Sequence, residues 1–210
     1  MNFTSQQVEE QLKLAGFEYA LSSIEIERLC YFLDLRAKWS HTHNLSGPQA
    51  LSTVWTDVID VCAIALVIDA QLPIIDVGSG SGVPGLMLAC LKPQQKIYLI
   101  EPSAKRCAFL KTAIYQLKLD QVQVHRGRWP WTSGPDEAYQ IMSRAVVDPK
   151  KWPLWAQHAQ VAEIIQMLAA ERPAWPIEHS HLQSQIEYLS PLGGQRLIRR
   201  WQLSKAQVKA

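Results

Sequence analysis

The chain has 210 residues, 48% of them hydrophobic, and a formal net charge of +2. That supplies one sizeable core but no membrane span, because no apolar run reaches the roughly 20 residues required and the longest, 58–72, is broken by Asp60 and Asp69. A charge this small excludes strong overall attraction to phosphate, so a nucleic-acid surface has to be a local patch; the start MNFTSQQVEEQ lacks a signal peptide's basic and apolar regions, and Cys30, Cys62, Cys90 and Cys107, without CxxC spacing, read as buried reduced thiols of a cytoplasmic protein.

Thr4-x-x-Gln7 has the pattern of a capping box, and Gly16 can close the helix it opens. Ser22-x-x-Glu25 opens a second helix to about residue 40, with Ile26, Leu29, Cys30 and Leu33 at helical spacing. Residues 41–46 read as a loop, and Gly47-Pro48 as the start of a third helix to about residue 70. Residues 1–70 are therefore expected to form a helical extension packed on the sheet of a unit spanning 71–210. From residue 72 the pattern alternates: strand 72–77, helix 83–91, strand 96–100, helix 104–117, strand 121–125 and a fourth strand within 136–143. This is the signature of an α/β fold, a parallel sheet with helices on both faces. Residues 152–159 look helical, 161–168 could be strand or helix, and 186–189, Pro191-Leu192-Gly193-Gly194 and 196–203 read as a terminal hairpin.

The chemistry gathers at Ile74-Ile75-Asp76-Val77-Gly78-Ser79-Gly80-Ser81-Gly82-Val83-Pro84-Gly85. An apolar strand ends in a loop with glycine at every second position, and a helix follows, with Pro84 suited to its first turn. The helix start offers free N–H groups to a small polar ligand. The next strand ends at Glu101, whose carboxylate can accept hydrogen bonds from both hydroxyls of a ribose. Two nucleoside cofactors fit. Gly80-x-Gly82-x-x-Gly85 satisfies the dinucleotide fingerprint, with Glu101 near the usual spacing of about 20 residues. S-adenosylmethionine is favoured by Asp76, which suits an ammonium and would repel a pyrophosphate. A glycine-rich turn with no cofactor role is the remaining reading.

The runs DVGSGSGVPG from Asp76 to Gly85 and IEPSAKRCAFLK from Ile100 to Lys111, with Ser143-Arg144-Ala145, resemble the glucose-inhibited division protein B family. The resemblance spans about 39–201 and is close over 74–111. It implies a Rossmann-like S-adenosylmethionine-dependent methyltransferase fold with an antiparallel last strand and an N-terminal helical extension. The implied activity is methylation of guanine N7 in small-subunit ribosomal RNA, the implied partner that RNA or the small ribosomal subunit. A monomer, without membrane contact or metal, is expected.

On this reading the cofactor lies over Gly78, Ser79, Gly80, Gly82 and Val83, with Asp76 beside the loop and Glu101 on the ribose. Gly127 and Arg128 follow the third strand, where the adenine should lie; the acid that the family usually carries in this loop is replaced here. Arg144, at the mouth of the fourth strand, is the candidate catalytic residue, orienting the methionine carboxylate or a target phosphate; a structural ion pair is the competing role. Lys105 and Arg106 could pair with acids or touch RNA. Arg126, Arg128, Lys150, Lys151, Arg196, Arg199 and Arg200 could form a basic rim or a solvated surface. Trp129-Pro130-Trp131 reads as packing more than as a base-stacking platform, and His41-x-His43 and His179-x-His181 as loop histidines.

The chain departs from the family on the substrate side. The family's Arg-His-x-x-Asp-Ser stretch is Thr56-Asp57-Val58-Ile59-Asp60-Val61 here, and Met167 stands near the place of an expected lysine. A non-catalytic RNA- or ribosome-binding protein on the same scaffold is thus an open alternative. A nicotinamide-linked oxidoreductase is another, disfavoured by Asp76 and by the block Lys105-Arg106-x-x-Phe109-Leu110.

Overall fold

A computed structural model describes residues 2–17, 21–43, 45, 52–144, 154–155, 157–158, 160–169 and 180–204. Three helices come first: α1 (Ser5–Leu14), α2 (Ser23–His43) and α3 (Val54–Val67). Thr4 closes the expected capping box, its hydroxyl accepting the Gln7 N–H while the Gln7 side chain accepts the Thr4 N–H. Ser22 and Glu25 make the same reciprocal pair ahead of α2. α2 runs one turn beyond its expected end. The proposed Gly47-Pro48 helix start lies outside the described residues. Residues 52–53 form a turn, so α3 begins only at Val54, and it ends at Val67, where Ile68 turns extended. α3 is buried nearly all round, as a helix with so little polar surface must be.

The rest is β1 (Ile74–Val77), α4 (Gly85–Leu91), β2 (Ile97–Glu101), α5 (Ala104–Leu117), β3 (Val122–Arg126), β4 (Tyr139–Met142), β5 (Val161–Ala169), β6 (Ser180–Leu189) and β7 (Gln195–Leu203). The seven strands lie in the order β3-β2-β1-β4-β5-β7-β6. β3, β2, β1, β4 and β5 pair in parallel, and β7 runs antiparallel to both neighbours. The terminal hairpin is thus present, with a first limb longer than the expected 186–189. β6 is an edge strand with polar residues on both faces, so its apolar alternation is faint. Of the expected helix at 152–159, only 154–155 are helical among the described residues.

The central strands are buried on both faces, as parallel strands usually are. Ile74, Leu99, Met142 and Ile165 join α1 to α5 in one core, which includes Val8, Phe32, Ile59, Leu88 and Phe109. Ile75, Tyr98, Ile100, Ile141 and Ile164 face the opposite way, with Trp129, Trp131 and Trp155 against them, so α1 to α5 lie on one face of the sheet and not, as the alternation suggests, on both. All four cysteines are buried and unpaired, and burial pushes the thiols of Cys62 and Cys90 up to about 12. Among the described residues no helix is long and apolar enough to cross a membrane. Nor is any group of three or more His, Cys, Asp or Glu side chains placed to hold a metal ion.

Candidate functional site

The loop between β1 and α4 lies at the carboxyl ends of the parallel strands, where open α/β sheets bind ligands. Gly78, Gly80 and Gly82 all have positive φ, of 76°, 59° and 86°. A side chain at Gly82 would also meet the Phe32 ring of α2 at 3.2 Å. At Gly85 the constraint is contact alone: an added Cβ would stand 2.6 Å from both Asp76 Oδ2 and Leu99 Cδ2. Gly85 therefore lets α4 lie against β1 and β2.

Asp76 is fully buried on the helix face of β1, beneath the loop rather than beside it. Its Oδ2 accepts the Gly85 N–H at 3.0 Å, and its Oδ1 accepts no hydrogen bond. Burial pushes the carboxyl up to about 6. The Gly85 bond, the Ser79 hydroxyl and the Arg144 cation pull it down only partly. A loop-holding role and an electrostatic one therefore coexist, because a buried charge in low dielectric acts over several ångströms.

Glu101, 1% exposed, closes the loop from the other side. Its Oε2 accepts the Gly80 N–H at 2.9 Å and its Oε1 the Ser103 N–H at 2.8 Å, with Arg106 Nη1 3.9 Å from Oε1. Each oxygen has a further lone pair. Arg106 also donates to the Leu45 carbonyl at 3.1 Å, which ties the segment after α2 to the start of α5. Gly127 N–H continues the β2–β3 ladder by donating to the Glu101 carbonyl at 3.2 Å. That donor is engaged, and Arg128 is exposed with no hydrogen bond to the loop among the described residues.

Arg144 follows β4 and forms an ion pair through Nη1 with Asp57 Oδ1 of α3; its side chain stays 27% exposed. The other oxygen of Asp57 accepts Arg36 Nη1 of α2 at 2.8 Å, and Arg36 Nε donates to Ser81 Oγ at 3.1 Å. Arg36, Asp57 and Phe32 carry no motif of their own, and Ser81, though inside the glycine run, is given no role by the sequence. The available signal was two carboxylates, Asp57 and Asp60, in an otherwise apolar helix, since buried acids need partners. Asp60 takes the Tyr188 hydroxyl at 2.6 Å and Arg196 Nη2 at 2.8 Å.

These acids take residues from the basic rim. Arg196 goes to Asp60, and Arg200 to Glu163 at 2.9 Å and Asp69 at 3.6 Å. Arg199 donates to Gln185 at 3.2 Å, while Lys150 and Lys151 lie outside the described residues. Arg126 and Arg128 are left exposed beside the carboxyl end of β3. The tryptophans pack, as expected: Trp131 stacks on His125 at 4.7 Å, and Trp129 lies against Trp155 at 5.6 Å and His158 at 4.9 Å.

Residues 25–193 match the family described as GidB, rRNA small subunit methyltransferase G. A ribosomal RNA small subunit methyltransferase G from Dichelobacter nodosus is 33% identical over 144 residues, 67% of this chain and 67% of that protein. One from Helicobacter hepaticus is 38% identical over 104 residues, 47% of this chain and 56% of that protein. The chain thus spans between about half and two thirds of the length of these curated relatives. Among solved structures, P. horikoshii TYW2 in complex with MeSAdo superposes with a TM-score of 0.52 at 16% identity, covering 72% of this chain and 64% of that one. That likeness is one of fold, and the fold is the Rossmann-like one of methyltransferases.

Proposed function

The chain belongs to the GidB family, rRNA small subunit methyltransferase G, and on that premise we propose that it methylates N7 of a guanine in 16S ribosomal RNA, with S-adenosylmethionine as methyl donor. The observation that carries this reading is that the matched span encloses the whole loop-and-acid site, from Arg36 to Arg144. The reversed β7 agrees with it, since the dinucleotide-binding halves of an oxidoreductase continue the sheet in parallel.

The residues present fit the cofactor. Asp76 holds a buried carboxylate oxygen without a hydrogen bond under the loop, a field suited to an ammonium and a sulfonium. Glu101 offers its remaining lone pairs to the ribose hydroxyls, and Gly78, Ser79, Gly80, Gly82 and Val83 provide the backbone against which the cofactor lies. Gly127 and Arg128 border the adenine side through their backbone. The cofactor supplies a methyl group activated by its bond to a positive sulfur.

The acceptor, guanine N7, has an in-plane lone pair and no proton to lose. An acceptor with no proton to lose needs no general base, and the cofactor, when bound, would supply the electrophilic methyl and be left as a neutral thioether. Asp76 Oδ2 and both Glu101 oxygens accept backbone N–H groups, so these acids hold the loop and the cofactor and are given no proton-transfer role. The protein's part is to hold an approach of about 3 Å in line, in a site of fixed charge. Arg144, anchored by Asp57 but partly exposed, orients the methionine carboxylate or a phosphate of the target strand. A cytoplasmic setting, and ribosomal RNA or the small ribosomal subunit as partner, belong to the same proposal.

The test is methyl incorporation into 16S RNA and 30S particles from cells lacking this modification, with Glu101→Ala as control. Incorporation at guanine N7 by the native chain, lost in the variant, supports the reading. Cofactor binding without incorporation into either substrate overturns it in favour of a non-catalytic ribosome-binding role.

A further inference from the structure

Four side chains from four segments form one continuous chain behind the loop. Ser81 Oγ accepts Arg36 Nε at 3.1 Å. Arg36 Nη1 donates to Asp57 Oδ2 at 2.8 Å, and Asp57 Oδ1 pairs with Arg144 Nη1. Arg36 and Asp57 are deeply buried, at 5% and 1% exposure, whereas the two ends, Ser81 and Arg144, are half-buried. One end lies in the cofactor loop and the other at the mouth of β4.

We propose that Arg36 and Asp57 are positioning residues that couple the cofactor loop to Arg144. Three physical features carry the inference. Separating a buried ion pair is strongly unfavourable, so Arg36 and Asp57 move together. A guanidinium is a rigid planar fork, and Arg36 uses Nε for the loop and Nη1 for Asp57. A shift of Ser81 that turns the fork therefore turns the Asp57 carboxylate. Finally, Phe32 lies one helical turn before Arg36 and packs at the Gly82 position, so α2 braces the loop at two successive residues and gives the fork a fixed base. Two cations share one carboxylate, which leaves the exposed face of Arg144 with unneutralised positive charge. Burial pushes the Arg36 guanidinium down and Asp57 opposes that push, while the second cation adds to it.

The proposal rests on the cofactor reading above and deepens it. Its test is a double-mutant cycle read by calorimetric titration with S-adenosylmethionine. Ser81→Ala removes the loop's acceptor. Arg36→Lys keeps a cation for Asp57 but loses the fork. Each is expected to weaken binding by about three- to tenfold, and the double variant by no more than the weaker single, as for residues acting through one link. A second cycle, Arg36→Lys with Arg144→Lys, is read in kcat and should be equally non-additive. Additive effects in both cycles, or an Arg36→Lys variant with native affinity and kcat, overturn the proposal. Should Arg36→Lys fail to fold, Ser81→Ala with Arg144→Lys interrogates the two ends directly, and additivity there overturns it. A native chain that binds no S-adenosylmethionine defeats the cofactor reading itself, a result distinct from a native chain that binds but shows additive cycles.

Discussion

Gly80 and Glu101 stand 21 positions apart, and the N–H of the first donates to the carboxylate of the second at 2.9 Å. One bond thus sets the height of the cofactor loop over the tip of β2. The same carboxylate takes Ser103 N–H with its other oxygen, so it also fixes the lead-in to α5.

Replacing Glu101 therefore has two separable effects. Glu101→Ala leaves two backbone donors without their acceptor and should cost about 1–3 kcal/mol of stability. It should also weaken S-adenosylmethionine binding by more than about tenfold, as expected for loss of a charge-assisted hydrogen-bond acceptor. Thermal unfolding and calorimetric titration measure the two; native affinity in the folded variant would remove Glu101 from the site.

Asp76 predicts a trade between stability and binding. Its carboxyl is raised to about 6 in the folded chain, chiefly by burial, against about 3.9 unfolded. Between these values the folded state holds the proton more tightly, so this group's contribution to stability falls as pH rises from about 4 to 6 and stays low above that. Asp76→Asn should flatten that slope and stabilise the ligand-free protein at neutral pH by on the order of 2–3 kcal/mol. It should also weaken S-adenosylmethionine binding, and native binding should decline as pH drops below about 6. Denaturant unfolding at pH 4.5 and 7.5 in roughly matched buffers, with titrations at both, would show the opposite signs.

Gly85→Ala tests the packing of α4. The added methyl would stand 2.6 Å from both Asp76 Oδ2 and Leu99 Cδ2, atoms of buried residues. Overpacking of this kind costs about 1–3 kcal/mol. The denaturant midpoint should fall, and affinity with it as α4 lifts from β1. An unchanged midpoint would mean the helix has room to move.

Asp60 should matter for folding and not for the cofactor. It joins α3 to the terminal hairpin through Tyr188 and Arg196. Asp60→Ala leaves a half-buried guanidinium without its carboxylate and should cost about 3–5 kcal/mol. Affinity for S-adenosylmethionine, measured well below the variant's melting temperature, should change far less than stability does, because both Asp60 hydrogen bonds go to the terminal hairpin and only its longer-range field reaches Arg144.

The sequence made the glycine loop, Glu101 and the alternation of strands and helices legible, because each has a local signature. Glycine at alternate positions marks a turn that other residues cannot make, and an acid after an apolar run marks a strand tip. The sheet's reversed strand was implied by resemblance, and β7 has it. What stayed hidden is carried by long-range pairing. Arg36 and Asp57 are 21 positions apart, and Asp57 and Arg144 are 87; no spacing rule links them. Arg196 and Arg200 read as a rim because sequence shows their charge but not the acids of α3 and β5 that claim it. The position of Asp76 beneath the loop was equally unreadable, since a strand's alternation gives a face but not what lies over it.

Phe32 and Arg36 place the brace of the loop in the chain's first fifth, ahead of any strand. Front and sheet are consequently matched parts, and a chimaera joining another protein's leading helices to this sheet would inherit a prop cut for a different arch.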